Sequence, residues 1–221
     1  MESSKSFFDA IFFDMDGLMV DSEPQWFVSE IEVTKPFGYT WLEEDQVACL
    51  GGPLTRVGQY MFDKCGQVES PHFFIQELIR VQAEKMRGNT PTMPGAVELV
   101  KDLQVNGVKT ALVSASPRPI VDAVLNGLSK NYYQFSISAS DVSRSKPFPD
   151  PYLLAADKLK VEISECIVLE DSATGVASAT AAGAYVVAVP HLVPIEEASR
   201  RIVVKTLENV SISLLIEKLN R

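Results

Sequence analysis

The sequence predicts an α/β fold in which a parallel β-sheet core with helices on both faces carries an inserted all-helical domain. From residue 96 onward, short apolar runs alternate with helical segments of about ten residues, a pattern typical of parallel sheets. Between the first apolar run and this region, the sequence has amphipathic helical patterns and almost no strand-like run. The predicted core therefore comprises residues 1–20 and 93–221, and the predicted helical domain comprises residues 21–92.

The first strand is predicted at Ala10–Phe13, a short apolar run without helical spacing, as expected for a strand buried in a parallel sheet. Asp14 and Asp16 follow it, and Gly17 allows a sharp turn. Ligands of open α/β sheets bind outside the carboxyl ends of the strands, and Mg²⁺ prefers oxygen ligands. The two aspartates are therefore candidates for a cation site, although Asp-x-Asp-Gly also occurs in surface turns.

Helical patterns then fill the insert. Helices are predicted from Pro24 to near Gly38 and over residues 42–50, 54–64 and 71–87. Glycine and proline at residues 51–53 and glycine at residue 66 separate them. Residues 88–95, which contain two prolines and two glycines, are interpreted as the linker back to the core.

The remainder of the core alternates regularly. Strands are predicted over residues 109–113, 135–139, 166–169 and 185–189, and helices over residues 96–105, 119–128, 151–158, 173–182 and 211–219. Such alternation favours one parallel sheet, because each crossover between parallel strands needs a connection of helix length.

Polar side chains follow three of these strands. Asp14, Ser114 and the pair Glu170-Asp171 stand at strand ends, and Lys146 precedes a helix on the same edge. Asp16 brings the number of carboxylates expected at this edge to four. Together with the ammonium of Lys146 they carry a net charge of −3, which one Mg²⁺ would reduce to −1. Taken singly, the serine could cap a helix, the lysine could be solvated, and the acidic pair could cap the next helix. Their shared edge favours a common site.

Composition excludes several classes of function. The chain has 221 residues, 46% of them hydrophobic, and a formal net charge of −9. The acidic balance argues against nucleic acid or an anionic membrane as partner. No apolar segment approaches the roughly 18 residues of a spanning helix, and residues 1–8 have no apolar core of signal-peptide length. Cys49, Cys65 and Cys166 are interpreted as reduced, buried thiols. We expect a cytoplasmic monomer.

Four motifs together resemble those of the haloacid dehalogenase-like hydrolase superfamily, in the branch with a helical cap after the first strand. The motifs are Asp14-Met15-Asp16-Gly17 with Asp21-Ser22, then Ser114, then Lys146-Pro147-x-Pro149-Asp150, then Glu170-Asp171-Ser172-x-x-Gly175. Their order and spacing match over essentially the whole chain. The resemblance implies a Rossmann-like core domain with a helical cap domain.

The resemblance also implies roles for these residues. Asp14 would attack a phosphoryl group to form an aspartyl-phosphate, and Asp16 would act as general acid and then general base. Mg²⁺ would be held by Asp14, Asp171 and the backbone carbonyl of Asp16, with Glu170 as a direct or water-mediated ligand.

The phosphoryl group itself would be bound by a second set of donors. Ser114 and Lys146 would contact the phosphoryl oxygens. Backbone N–H groups near Ala115 and Met15 would assist them.

The resemblance alone does not determine which reaction the protein catalyses. Asp16 together with the acidic pair argues against dehalogenation, since dehalogenases of this fold lack the second carboxylate and the metal. A sugar phosphomutase of the β-phosphoglucomutase type has a histidine where Trp26 stands here, and His72 and His191 lie elsewhere. The mutase is therefore the alternative. A non-catalytic binding module would require the loss of Asp14, Asp16, Lys146 or Asp171, and all four residues are present.

The favoured function is that of a Mg²⁺-dependent phosphatase acting on a small phosphorylated metabolite. Residues 21–26 and 113–117 resemble those of bacterial phosphatases of the 2-deoxyglucose-6-phosphate and hexitol-phosphate type, so the expected substrate is a sugar or sugar-alcohol phosphate.

Substrate choice is expected to reside in the cap. Arg56, in the loop of residues 51–56, is the residue expected to contact substrate, and Glu23 and Trp26 are expected near the entrance. Arg80 and Lys85 are weaker candidates. For all the cationic residues the alternative is a solvated charge on a helix. His72 and His191 are interpreted as surface or structural residues.

Overall fold

Six parallel strands form the sheet within the described residues, in the spatial order β3-β2-β1-β4-β5-β6. The strands are β1 (Ala10–Phe13), β2 (Lys109–Val113), β3 (Ser136–Ile137), β4 (Cys166–Glu170), β5 (Tyr185–Ala188) and β6 (Arg201–Val203). Because β1 lies between β2 and β4, the direction of winding reverses beside it. Such a reversal is where open α/β sheets bind their ligands.

The computed structural model describes residues 8–49, 52–88, 90–128 and 131–219. The helices are α1 (Glu23–Thr34), α2 (Glu43–Cys49), α3 (Leu54–Lys64), α4 (Pro71–Gly88), α5 (Ala96–Val105), α6 (Arg118–Gly127), α7 (Asp150–Leu159), α8 (Ala173–Ala182) and α9 (Ile212–Leu219). Three residues used in the sequence predictions, Leu50, Gly51 and Asn89, and most of the segment 1–8 lie outside the described ranges. Among the described residues, no helix has both the length and the apolar character needed to cross a membrane.

Two compact units make up the chain. The first contains the sheet and comprises residues 1–21, 91–118 and 129–221; the second comprises residues 22–90 and 119–128. The limits predicted for the helical domain, 21–92, stay a prediction. The second unit differs from the predicted domain because it also includes residues 119–128. Gly127 of α6 lies so close to Thr90 that an added Cβ would fall 2.2 Å from the threonine hydroxyl.

Each unit has its own apolar core. In the sheet unit, Phe12 and Val168 of the central strands pack with Tyr152 and small residues of α7 and α8. In the helical unit, Trp41, Met61 and Phe74 are buried among further aromatic and aliphatic side chains. Burial of these residues removes apolar surface from water and stabilises each unit separately.

Local differences from the predicted elements have physical causes. The first helix of the insert ends at Thr34 instead of Gly38, since Pro36 has no backbone N–H to continue the helical hydrogen bonds. Residues 35–37 form a single 3₁₀ turn that ends at Gly38, where φ is +73°. Strand β3 has two residues where five were predicted, and β6, a three-residue strand, was not predicted.

Candidate active site

The turn after β1 brings the first acidic residues to the carboxyl edge of the sheet. The backbone N–H of Asp14 donates to Leu169 O at 3.1 Å, which continues the pairing of β1 with β4. The chain turns at Gly17, where φ is +78°. A Cβ there would fall 2.3 Å from Asp171 Oδ2. Glycine is therefore required both by the backbone conformation and by the approach of the second acidic motif.

Three buried carboxylates meet at this edge. One oxygen from each of Asp14, Glu170 and Asp171 lies within 4.8 Å of the others. Asp171 Oδ1 is buried and has no hydrogen-bond partner among the described residues. Burial, followed by the charge of Glu170, raises the pKa of Asp14 to about 7. Burial, followed by the charges of Asp14 and Glu170, raises the pKa of Asp171 to about 9.

This carboxylate cluster fits a divalent cation. Like charges buried together are unfavourable unless a cation balances them. The unpartnered oxygen of Asp171 offers an electron pair that no donor of the described residues uses. Carboxylate oxygens are the ligands that Mg²⁺ takes in proteins, so the residues present suit that ion.

Lys146 is the buried cation of the site. Its side chain is 3% exposed, and Nζ donates to Asp14 Oδ1 at 2.5 Å, Glu170 Oε1 at 2.6 Å and Val113 O at 2.8 Å. Burial alone would lower the pKa of Lys146, but the charges of Asp14 and Glu170 raise it above its usual value. The lysine is therefore charged and linked to two carboxylates and one strand end.

Glu170 is held from several sides. Tyr152 OH donates to Oε1 at 2.6 Å, and Ser172 Oγ donates to Oε2 at 3.3 Å. The carboxylate lies against α8 so closely that a Cβ on Gly175 would fall 1.9 Å from Oε1. Burial and the charge of Glu170 raise the pKa of Tyr152 well above its usual value, so its hydroxyl remains a donor.

Two serines after β2 hold the other aspartate of the first motif. Asp16 Oδ2 accepts from Ser116 Oγ at 2.8 Å and from Ser114 Oγ at 3.3 Å. The backbone N–H of Ser116 donates to Ser114 Oγ at 2.9 Å, and that of Ser114 donates to Ile137 O at 2.9 Å. The side chain of Asp16 is therefore oriented by two hydroxyl groups.

The structure brings together the core residues that the sequence singled out. Asp14, Asp16, Ser114, Lys146, Glu170 and Asp171 all lie at the carboxyl edge of the sheet, and Ala115 is exposed between the two serines. The lysine is not a solvated loop charge, and the cap of α8 is Ser172, whose Oγ accepts from Gly175 N at 3.0 Å. Their catalytic roles stay predictions.

The residues predicted to select substrate belong to the helical unit. Glu23 begins α1 and Trp26 packs against the apolar core of that unit. Arg56 is exposed, and Nη2 donates to Cys49 O at 3.1 Å. A Cβ added to Gly52 would lie within 2.4 Å of the Arg56 guanidinium. The substrate contacts predicted for these three residues stay predictions.

The weaker cap candidates form ion pairs on helix surfaces. Arg80 pairs with Glu77 and Glu84, and Lys85 pairs with Glu32 at 2.5 Å. These contacts fit the alternative of ordinary surface charges, which contribute little to stability.

Sequence reasoning assigned no role to two residues of the site. Ser116 had a signal, since it stands two residues after Ser114 in a loop already assigned to the site. Tyr152 had none, because a tyrosine inside an amphipathic helix is most often a core residue. His191, interpreted as surface or structural, lies beside the turn at Gly17: a Cβ on that glycine would be 3.6 Å from His191 Cδ2.

Comparisons with known proteins show which sequences this chain resembles. A family model described as haloacid dehalogenase-like hydrolase matches residues 11–189. Hexitol phosphatase B of Escherichia coli O157:H7 is 30% identical over 211 residues, which cover 94% of this chain and 93% of that protein. Fructose-1-phosphate phosphatase of Escherichia coli strain K12 is 28% identical over 174 residues, which cover 78% of this chain and 92% of that protein.

Among solved structures, a hydrolase from Entamoeba histolytica, described as HAD family IA, variant 3, superposes with a TM-score of 0.83. The superposition covers 96% of this chain and 100% of that one at 22% sequence identity. At this identity the likeness shows a common fold.

Proposed function

The chain belongs to the haloacid dehalogenase-like hydrolase family and is a phosphatase, and from this we propose that it hydrolyses sugar or sugar-alcohol phosphates with Mg²⁺ through an aspartyl-phosphate. The observation that carries the proposal is the position of Asp14, which lies at the carboxyl edge of the sheet between Lys146 and the acidic pair Glu170-Asp171. An anionic nucleophile there faces both a buried ammonium and a cluster that suits a divalent cation.

In the first step, an oxygen of Asp14 forms a bond to phosphorus while the bond from phosphorus to the substrate oxygen breaks. Lys146 holds Asp14 Oδ1 at 2.5 Å, which fixes the direction of the carboxylate before substrate binds. In the second step, water attacks phosphorus, and Asp14 leaves as a free carboxylate with inorganic phosphate as product. Dividing one displacement into two lowers the barrier of each.

Asp16 is the general acid and base of this mechanism. It gives a proton to the departing alcohol oxygen and later takes a proton from the attacking water. Ser114 and Ser116 both donate to Asp16 Oδ2, and these two bonds orient its carboxyl group. Ser114, Lys146 and the backbone N–H groups near Ala115 and Met15 bind the phosphoryl oxygens.

Mg²⁺ bound in this site would supply Lewis-acid stabilisation of the phosphoryl charge. Asp14, Asp171 and the backbone carbonyl of Asp16 would hold it. Glu170 would take part through a water molecule, because Tyr152, Lys146 and Ser172 already donate to its two oxygens.

We propose that the substrate is a small polyhydroxylated phosphate ester. The two bacterial relatives are named for hexitol phosphates and fructose 1-phosphate, which are both of this class. Arg56, Glu23 and Trp26 are the proposed specificity residues of the helical unit. The enzyme would act as a monomer, since the acidic cluster, the lysine and both serines belong to one chain.

A cytosolic location is proposed for the same protein. Cys49, Cys65 and Cys166 are free and buried, which suits a compartment that keeps thiols reduced. Fractionation of the source cells, with the protein followed by antibody, would test this location.

The experiment that tests the function measures phosphate release from a panel of hexose and hexitol phosphates, with Mg²⁺ and with a chelator. The panel includes β-glucose 1-phosphate, whose products are analysed. We expect metal-dependent release of inorganic phosphate from at least one hexose or hexitol phosphate. Conversion of β-glucose 1-phosphate to glucose 6-phosphate with little free phosphate would instead show a mutase, and no reaction on the panel would contradict the proposed substrate class.

A further inference from the structure

Lys146 has no donor to spare in the structure. An ammonium group carries three N–H donors, and those of Lys146 are directed at Asp14 Oδ1, Glu170 Oε1 and Val113 O. To donate to a phosphoryl oxygen, as the proposed function requires, the lysine must give up one of these acceptors. A buried carboxylate that loses a donor is costly to leave unsatisfied.

Glu170 Oε1 has a second donor that makes this exchange possible. Tyr152 OH donates to the same oxygen at 2.6 Å. When the lysine turns towards substrate, Oε1 therefore keeps one strong hydrogen bond. Ser172 Oγ supplies a further donor to Oε2 at 3.3 Å.

We infer that Tyr152 is a positioning residue, whose hydroxyl satisfies Glu170 so that Lys146 can move between this carboxylate and the phosphoryl group. The inference rests on the proposed function and deepens it, because it names the group that allows the lysine to exchange partners.

The tyrosine is placed rigidly for this role. Its side chain is fully buried, and its ring stacks on Phe12 with ring centroids 6.4 Å apart. Lys146 Nζ lies 5.0 Å from the centroid of the Tyr152 ring, a distance at which a cation is attracted to an aromatic face. The ring thus stabilises the ammonium while the hydroxyl holds its acidic partner.

A purely structural role for Tyr152 predicts a different result. If the tyrosine only filled the core, removing its hydroxyl would change the free energy of unfolding and leave the binding of phosphate unchanged. A positioning role predicts weaker phosphate binding in a folded protein, because the lysine must then leave Glu170 without a donor on Oε1.

The test compares Tyr152→Phe with Tyr133→Phe as a matched control. Tyr133 also has a buried hydroxyl, which has no hydrogen-bond partner among the described residues, and its ring packs edge-on against Phe13. The affinity for inorganic phosphate is measured by isothermal titration calorimetry in the presence of Mg²⁺. We expect Tyr152→Phe to weaken phosphate binding by about tenfold or more, as for the loss of a hydrogen bond to a charged group, and Tyr133→Phe to bind within about twofold of wild type.

A second comparison tests whether the effect passes through Glu170. Glutamine at position 170 keeps an acceptor oxygen but removes the charge that competes with substrate for Lys146, so the double variant Tyr152→Phe with Glu170→Gln shows whether Tyr152 acts through that carboxylate. We expect it to bind phosphate with the affinity of Glu170→Gln alone. Weaker binding by the double variant would overturn the inference, since Tyr152 would then act by another route.

The remaining outcomes separate this inference from the proposed function. Wild-type phosphate affinity in Tyr152→Phe, or equal losses in Tyr152→Phe and Tyr133→Phe, would also overturn the inference. The sugar-phosphate panel tests the function itself. If the panel shows no hydrolysis while Tyr152→Phe alone weakens phosphate binding, the proposed substrate class is wrong and the positioning role still holds.

Discussion

At the residue scale, the site depends on the absence of side-chain atoms as much as on charged groups. Gly17 makes room for Asp171, and Gly175 makes room for Glu170. Of the two, Gly175 gives the clearer test, because it lies in the helix α8 and has no unusual backbone conformation. Any loss of stability caused by a Cβ there therefore comes from the contact itself.

We predict that Gly175→Ala destabilises the protein and lowers its activity. Alanine is normally favoured over glycine inside a helix by about 0.5–1 kcal/mol. Here the added carbon would fall 1.9 Å from Glu170 Oε1, and this carboxylate is fully buried and held by other donors. Overpacking of this kind costs about 1–3 kcal/mol, so the contact outweighs the helix preference. Urea unfolding and phosphate release measure the two effects.

Gly88→Ala is the matched control for that change. Gly88 lies at the end of α4, and a Cβ there has no atom of the described residues within 4 Å. We expect this variant to equal or slightly exceed wild type in stability, with unchanged activity. A Gly175→Ala protein as stable and active as Gly88→Ala would show that Glu170 is not fixed where the structure places it.

At the scale of elements, the helical unit contains a buried acidic group that is separate from the catalytic set. Glu30 of α1 is 5% exposed, and Oε2 accepts from the Trp41 indole N–H at 2.9 Å. Burial, with smaller contributions from Glu23 and Asp45, raises the pKa of Glu30 to about 7, although the bond from Trp41 opposes the shift. The neutral carboxyl is therefore favoured in the folded unit.

We predict that this group makes the folded state less stable as pH rises. Its usual pKa is 4.5, so its stabilising contribution is complete below that pH and is lost as pH rises through about 7. Because one pKa unit corresponds to about 1.4 kcal/mol, the loss is a few kcal/mol at most. Urea unfolding between pH 4.5 and 7.5 should show this decline in wild type.

Glu30→Gln should remove that part of the pH dependence. Glutamine keeps an oxygen that can accept from Trp41 and carries no charge at any pH. The difference in free energy of unfolding between wild type and variant cancels the contributions of Asp14 and Asp171, whose pKa values are also raised. Parallel pH profiles for the two proteins would refute the assignment to Glu30.

At the scale of the whole molecule, the sequence predicted the parts that depend on local pattern and chain topology. The strands β1, β2, β4 and β5 were predicted because each is an apolar run closed by a polar or turn residue. Their parallel arrangement then placed Asp14, Ser114 and the acidic pair on one edge, as the structure confirms. Short elements were not predicted in this way: β6 has three residues and no alternation of apolar and polar side chains.

Side-chain contacts between distant elements could not be predicted in the same way. The bond from Tyr152 to Glu170 depends on how α7 packs against the sheet, and the bonds from Ser114 and Ser116 to Asp16 depend on the turn after β2. Residue spacing contains no information on either geometry. The grouping of residues 119–128 with the helical unit likewise depends on packing and not on sequence pattern.

The central claim is that Asp14 takes the phosphoryl group, and the most direct measurement is to trap that intermediate. Borohydride reduces an acyl phosphate to an alcohol, so a phosphorylated Asp14 would be converted to homoserine, which peptide mass spectrometry detects. Wild type is mixed with Mg²⁺ and a hexose or hexitol phosphate that it hydrolyses, then quenched with borohydride. Asp14→Asn, which should fold normally and lose turnover by several orders of magnitude, is the control.

We expect homoserine at position 14 in wild type only when substrate and Mg²⁺ are both present, and none in Asp14→Asn. Reduction at another carboxylate, or an Asp14→Asn protein with turnover near that of wild type, would contradict the account, because the phosphoryl group would then be transferred without Asp14.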